Sequence, residues 1–324
     1  MSYLVTGAAG FIGFHVAKRL LSRGETVVGL DSINDYYSVA LKKSRLAELA
    51  GHKGFTFHQA DISDFASLAA AVKGSRFRRV VHLAAQAGVR YGMDHPHAYV
   101  QANLAGHVNM LELCRHQDGF EAMAYASSSS VYGGNTKMPF CEDDKVDTPI
   151  SLYAATKRAD ELMSHTYSHL FGLKLVGLRF FTVYGPWGRP DMAMWLFTDA
   201  ILKGQPIKVF NHGKMKRDFT YIDDIVSGVT AIVSEPGKAF GEGTPHRIYN
   251  IGNNRPEDLL HMIGILEKTI GREAKKEMLP LQPGDVMESF ADIDAIRRDY
   301  GFEPVTPISK GIPAFVEWYK SYHA

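Results

Sequence analysis

Short, near-continuous apolar runs alternate with helix-period segments through the first half of the chain. Tyr3–Thr6 reads as a strand, Phe11–Arg23 as a helix and Glu25–Leu30 as a second strand. Phe55–His58, Arg79–Leu83, Ala122–Ala126 and Lys174–Leu178 are further strands, with helical stretches such as Val100–Cys114 and Ala154–His169 between them. The runs do not alternate polar with apolar, which is the pattern of strands covered on both faces. Strand–helix alternation at this spacing predicts βαβ units: an α/β fold built on a Rossmann-type, doubly wound parallel sheet with right-handed crossovers. After Leu178 the rhythm breaks at Gly185-Pro-Trp-Gly-Arg-Pro190 and shorter elements follow. The chain is therefore expected to divide into a Rossmann domain, 1–178, and a smaller C-terminal α/β substrate domain, 179–324, with some segments returning to the first.

Composition narrows the partners. Thirty-six Lys+Arg against 35 Asp+Glu leave a net charge of +1, which gives no general attraction for nucleic acid or an anionic membrane, so any anion site must be local. The two cysteines, Cys114 and Cys141, make no disulfide framework, and Cys114 sits in an apolar helical stretch. No apolar run approaches 20 residues and the chain opens directly on a strand, so the cytoplasm is the expected compartment. His165-x-x-x-His169 could hold an ion on one helix face, but no third ligand accompanies it in a zinc pattern, and no metal is expected.

Gly7-Ala-Ala-Gly10-Phe-Ile-Gly13 follows the first strand and opens the first helix. Glycine suits backbone that must turn sharply and approach a pyrophosphate, and the helix N-terminus then presents free N–H groups to the phosphates. Asp31 ends the second strand at the distance where such loops place an acid on the adenosine ribose; a carboxylate there favours NAD over NADP. Tyr153-Ala-Ala-Thr-Lys157 puts a phenol and an ammonium four apart on one helix face. A phenol of pKa ~10 is a poor base at neutral pH until a cation beside it stabilises the phenolate. The strand-end run Ser127-Ser-Ser-Ser130 places hydroxyls where open α/β sheets bind ligands.

These motifs, together with Asn34-Asp-Tyr-Tyr37, His82-Leu-Ala-Ala-Gln-Ala-Gly-Val-Arg-Tyr91, Arg179–Met192 and Phe210–Tyr221, resemble the extended short-chain dehydrogenases/reductases of the NAD-dependent epimerase/dehydratase family. Within it the likeness is strongest to nucleotide-sugar 4-epimerases that act on UDP-glucuronate, and it covers nearly the whole chain. The resemblance implies a retained NAD and interconversion of UDP-glucuronate and UDP-galacturonate through transient oxidation at C4. Tyr153 would exchange the 4-hydroxyl proton, Lys157 would assist it and hold the nicotinamide ribose, and Ser128 would bond the reacting oxygen, though the register within four serines could differ by one. For the cofactor it implies Phe11 and Ile12 beside the glycines, Asn34 and Lys43 at the adenosine end, Asp61 and Ile62 flanking adenine, and Leu83, Ala84, Ala85, Gln86 and Asn103 along the remainder. For the sugar nucleotide it implies Arg189, with Arg90 as a second candidate, facing the carboxylate beside Ser129, Ser130 and Thr182. Met192 joins that set, Val209 lies near uracil, and Arg217 and Asp285 lie near the diphosphate. Relatives pair two such chains through the helices around Val100–Cys114 and Ala154–His169, which implies a homodimer. A UDP-glucuronate decarboxylase, a neutral-sugar 4-epimerase and a non-catalytic NAD-binding regulatory protein are the competing readings. The four serines without an acid, Arg189 and the intact Tyr153/Lys157 pair count against each in turn.

Overall fold

A computed structural model describes residues 1–241, 243, 245–282 and 286–324. In chain order the first half runs β1 (Ser2–Thr6), α1 (Phe11–Ser22), β2 (Thr26–Asp31), α2 (Val39–Ala50), β3 (Phe55–Gln59), α3 (Phe65–Ala71) and β4 (Arg79–His82). It continues with α4 (Tyr91–Asp94), α5 (Pro96–Tyr99), a π-helical stretch Val100–Ala105, α6 (Gly106–Arg115), β5 (Ala122–Ser128), α7 (Leu152–Phe171) and β6 (Leu175–Phe180). The second half runs β7 (Thr182–Tyr184), α8 (Ala193–Lys203), β8 (Pro206–Val209), β9 (Lys216–Tyr221), α9 (Ile222–Ser234), β10 (His246–Ile251) and β11 (Pro256–Asp258). It ends with α10 (Leu259–Ile270), β12 (Lys275–Met278), β13 (Glu288–Ser289), α11 (Asp294–Tyr300) and α12 (Ile308–Tyr322).

Seven parallel strands form the main sheet in the order β10-β6-β5-β4-β1-β2-β3. The doubly wound α/β fold expected from the apolar runs is the fold observed. One face is covered by α1, α9 and α11 around Phe14, Leu20, Val229 and Ile296; the other by α6 and α7 around Leu111, Met123 and Leu175. The run Val100–Cys114, read as one helix, changes winding: its first six residues are π-helical. A cut at 178 falls inside β6, whose last two residues still pair with β5 and β10.

The other strands make two small sheets. β9 pairs with β7, β11 and β13, and β8 pairs with β12. A separate core of Phe197, Ile201, Met262, Ile263, Ile312 and Phe315 joins α8, α10 and α12 to them. Asp218 on β9, fully buried, accepts hydrogen bonds from Asn253 N (2.5 Å), Asn254 N (3.0 Å), Ala291 N (3.0 Å) and Thr220 Oγ1 (2.9 Å). One carboxylate thus ties β9 to the loop after β10 and to the segment after β13, its charge satisfied by donors rather than by a cation. No helix among the described residues is long and apolar enough to cross a membrane.

Candidate active site

A cleft of about 1120 Å³ opens along the C-terminal ends of the main strands, between the sheet and the α8 region. Its floor begins at the glycine loop. Gly7 has φ +72°, and a Cβ there would lie 2.8 Å from Ala84 N; a Cβ on Gly13 would lie 2.1 Å from Gly7 O. The loop is therefore folded tightly against β4 and α1, and only glycine fits. Gly10 caps α1 without a side-chain acceptor, leaving the first N–H groups of that helix for an anion. Asp31, at the end of β2, accepts from Ala9 N (3.1 Å) and Ile33 N (2.8 Å); burial pushes its carboxyl up while Lys42 counters the shift. A cradle with no room for a Cβ at Gly7, Gly10 or Gly13, an uncapped helix N-terminus and a fixed acid lining the cleft fit a dinucleotide.

Gly7, Gly10, Phe11, Ile12, Gly13, Asp31, Asn34, Leu83, Ala84, Ala85, Gln86, Tyr153 and Lys157 all line this cleft. Other predicted cofactor residues lie elsewhere. Lys43 is exposed; its neighbour Lys42 is buried, lines the cleft and donates to Asn34 O and Oδ1, both at 2.6 Å. One step along a helix turns a side chain by about 100°, and that rotation decides which lysine faces inward. Asp61 is exposed and accepts from Ser63 N and Oγ, both at 2.8 Å, and Ile62 is packed in the α6/α7 core. Asn103 is buried, accepts from Gln86 N (2.8 Å), and donates to Gln86 O (3.1 Å) and to Thr156 Oγ1 on α7 (3.0 Å). It shapes the loop after β4 and lies outside the cleft lining. The π-helical winding at this point carries that role, and periodicity alone does not reveal it.

At mid-cleft the helix α7 presents Tyr153, with Ser151 as its N-cap accepting from Ala154 N (3.1 Å). Tyr99 stacks edge-on to Tyr153 with ring centroids 6.2 Å apart, and its hydroxyl donates to Ala87 O (3.1 Å) and Gly88 O. Lys157 is buried and its Nζ lies 3.0 Å from Asp160 Oδ2. Burial raises the Asp160 carboxyl to about 6 against the pull of Lys157. Ser127 donates to Glu161 Oε1 (2.6 Å), a carboxylate that also holds Arg179 through Nε (2.8 Å) and Nη2 (3.0 Å), so Ser127 belongs to a buried ion-pair network. Ser127, Ser128, Ser129 and Ser130 all line the cleft, and Ser128 Oγ accepts from Ser130 N (3.2 Å), which fixes its orientation.

Arg90, Thr182, Arg189 and Met192, the residues expected to face the sugar, line the cleft as well. Arg189 Nε and Nη2 hold the Asp191 carboxylate at 3.0 and 2.5 Å, and Tyr36 Oη donates to the same Asp191 at 3.1 Å. The fork predicted to face a substrate carboxylate is therefore oriented by an internal acid, and Asp191 holds the guanidinium protonated. Arg90 lies over the Phe210 ring, 4.9 Å from its centroid. Val209 is fully buried in the α8/α10/α12 core, and Phe210, one residue on, lines the cleft in its place. Arg217 Nη1 donates to Lys216 O (2.8 Å) and Met287 O (3.2 Å), outside the lining. Asp285 lies outside the described residues. The sequence does not single out Lys42, Tyr36, Asp191 and Phe210; the last three sit within motifs already quoted and needed only loop geometry to be placed, whereas Lys42 needed the helix phase. A second surface cleft of about 960 Å³, around Arg79, Cys114 and Phe171 at the opposite strand ends, contains none of the predicted site residues.

Residues 3–252 match the sequence profile of the NAD dependent epimerase/dehydratase family. The chain belongs to that family. Family relatives align along the whole length. The chain is 48% identical to UDP-glucuronate 4-epimerase 4 of Arabidopsis thaliana, over 100% of this chain and 76% of the relative. It is also 48% identical to the protein CapI of Staphylococcus aureus, over 100% of this chain and 99% of the relative. The crystal structure of a UDP-glucuronic acid 4-epimerase from Bacillus cereus, in complex with UDP-glucuronic acid and NAD, superposes with a TM-score of 0.90 at 33% identity, covering 99% of this chain and 100% of that one.

Proposed function

We propose that this chain is an NAD-dependent UDP-glucuronate 4-epimerase that interconverts UDP-glucuronate and UDP-galacturonate. The observation that carries this reading is a single cleft in which the glycine cradle, Tyr153, Lys157, Ser128 and Arg189 all meet. When bound, NAD supplies a reversible hydride acceptor beside the sugar C4. Tyr153 takes the proton of the 4-hydroxyl and later returns it, with the Lys157 charge set against the phenolate. Ser128, fixed by Ser130 N, donates its hydroxyl proton to the same sugar oxygen. The 4-keto sugar must then turn within the cleft to present its other face, and the volume of about 1120 Å³ leaves room for that rotation.

The carboxylate sets the second demand. A glucuronate oxidised at C4 is a β-keto acid; when its C5–C6 bond lines up with the carbonyl π system, carbon dioxide departs. Arg189, held by Asp191 and Tyr36, with Thr182 beside it, is the group we assign to keep that carboxylate out of line. Arg90, stacked over Phe210, lines the same cleft.

We also infer a homodimer formed through α6 and α7, because Leu162 and Leu170 stand exposed on α7 and Val100 beside α6; light scattering on the eluted protein reads the mass directly. The cytoplasm suits two unpaired thiols, Cys114 and Cys141. The product is an activated galacturonosyl donor of the kind polysaccharide-building transferases consume. The deciding experiment incubates purified protein with UDP-glucuronate and no added NAD, following sugar nucleotides and carbon dioxide. UDP-galacturonate without pentose supports the assignment; a UDP-pentose as main product overturns it in favour of a decarboxylase.

A further inference from the structure

Arg45, on α2, is fully buried, yet every hydrogen bond it makes among the described residues goes to a neutral oxygen. Its Nη1 donates to Ala9 O in the glycine loop (2.8 Å) and to Tyr37 Oη (2.8 Å). Its Nη2 donates to Trp187 O (2.6 Å) and Gly188 O (3.0 Å), in the loop that leads directly to Arg189. One guanidinium therefore bridges the pyrophosphate cradle and the segment that carries the carboxylate-facing arginine.

Three further features concern the same loop. Trp187 has φ +60°, a left-handed conformation that a bulky residue keeps only when its surroundings hold it there. Its ring packs against Phe14 on α1 (centroids 5.5 Å) and against Trp318 on α12 (5.3 Å). His15 on α1 donates from Nε2 to Pro186 O (2.9 Å), and burial lowers that imidazole to about 4, so it stays a neutral donor at working pH. The loop 185–190 is bolted to the dinucleotide half at three consecutive carbonyls: Pro186, Trp187 and Gly188. A buried charge without a carboxylate partner is costly, and a role in joining two functional segments accounts for its retention at this position.

We propose that Arg45 is a positioning residue that couples the cofactor cradle to the Arg189 loop, and that it thereby protects the 4-keto intermediate from losing its carboxylate. This rests on the role of Arg189 proposed above. With the bolt loosened, the keto acid samples the aligned geometry. The C5–C6 bond then breaks, carbon dioxide leaves, and the electron pair passes to C5 and the C4 oxygen as an enolate. Protonation of C5 by solvent gives the UDP-4-keto-pentose.

The test compares the parent with Arg45→Met and Arg45→Lys, the second keeping the charge but losing the planar fork. Two quantities are read: the pentose share of all products from UDP-glucuronate, and hydrogen exchange of the backbone at 185–191 in the protein as purified. Both variants are expected to raise the pentose share on the order of tenfold, since misplacement by about 1 Å changes rates on that scale or more, and to exchange faster at 185–191. Should neither Arg45 variant fold, His15→Phe removes the donor to Pro186 while keeping a ring against Phe14, and a smaller rise in both readouts is then required. A folded variant with parental pentose share and parental exchange overturns the coupling role. A parent that forms no UDP-galacturonate instead refutes the epimerase assignment itself, so the two failures are told apart.

Discussion

Lowering the pH from 7 to 5 should remove several kcal/mol of folding stability, and buried imidazoles set most of the amount. Burial pulls His15 and His246 down to about 4 and His82 to about 3. Each group is neutral in the folded protein and titrates near 6.5 in the unfolded chain. Its contribution is thus fully present above 6.5 and is lost as the pH falls toward the folded value. Between pH 7 and 5 each loses about 2 kcal/mol by linkage. Asp160 acts in the opposite sense. Its carboxyl is raised to about 6, so its contribution grows as the pH drops below that value and offsets about 1 kcal/mol. These four groups together give a loss of about 5 kcal/mol, to which His107, also held well below its ordinary value by burial, adds; the sum is a large part of the 5–15 kcal/mol that holds a typical domain folded. Urea unfolding followed by far-UV circular dichroism at pH 7, 6 and 5 measures it. His246→Gln isolates one group, because glutamine can still accept from the Tyr125 hydroxyl, now 2.8 Å from His246 Nε2, but gains no proton. Its loss between pH 7 and 5 should be smaller than the parental loss by about 2 kcal/mol. Identical losses in parent and variant would refute the account.

Gly13→Ala brings a Cβ to within 2.1 Å of Gly7 O, so the cradle must open; the protein should emerge from purification with much less bound NAD, measured by release in acid and chromatography. Tyr153→Phe should lower kcat by about 10²–10⁴ at unchanged NAD content, the range for losing a positioned acid–base group; turnover within tenfold of the parent would remove Tyr153 from its assigned step. Arg189→Ala should impair UDP-glucuronate turnover by at least about tenfold more than turnover of a neutral UDP-hexose, judged by kcat/KM on both. Equal losses on the two sugars would show that Arg189 serves the loop and not the carboxylate.

The parts of the site that were legible in the sequence are local in it. The glycine loop, Asp31 and the Tyr153/Lys157 pair each depend on spacing within one turn or one βα unit, and all of them line the cleft. Lys42 was missed for Lys43, and Phe210 for Val209, because neighbouring residues point apart and a boundary shift of one exchanges inside for outside. Arg45 was missed for a different reason. In Leu41-Lys-Lys-Ser-Arg45 it looks like one more charge on a solvated helix face, and its four acceptors come from positions 9, 37, 187 and 188. Asn103 is expected at the cofactor from the family resemblance alone; it sits in the π-helical stretch, where its side chain bonds Gln86 and Thr156. The main-sheet strands themselves were readable as far as β6. Pairing of β10 beside β6 is a contact between distant segments, and no local pattern announces it.

That last pairing bears on how the chain is made. A nascent polypeptide that has emerged only through β6 carries a bare parallel edge, with the backbone groups of Leu175–Phe180 unmet on one side until His246–Ile251 arrives. The nucleotide-holding part cannot be borrowed as a stand-alone module by stopping there. Fusion partners belong at the termini, and a shortened version would expose a sticky flank that invites association with its own copies.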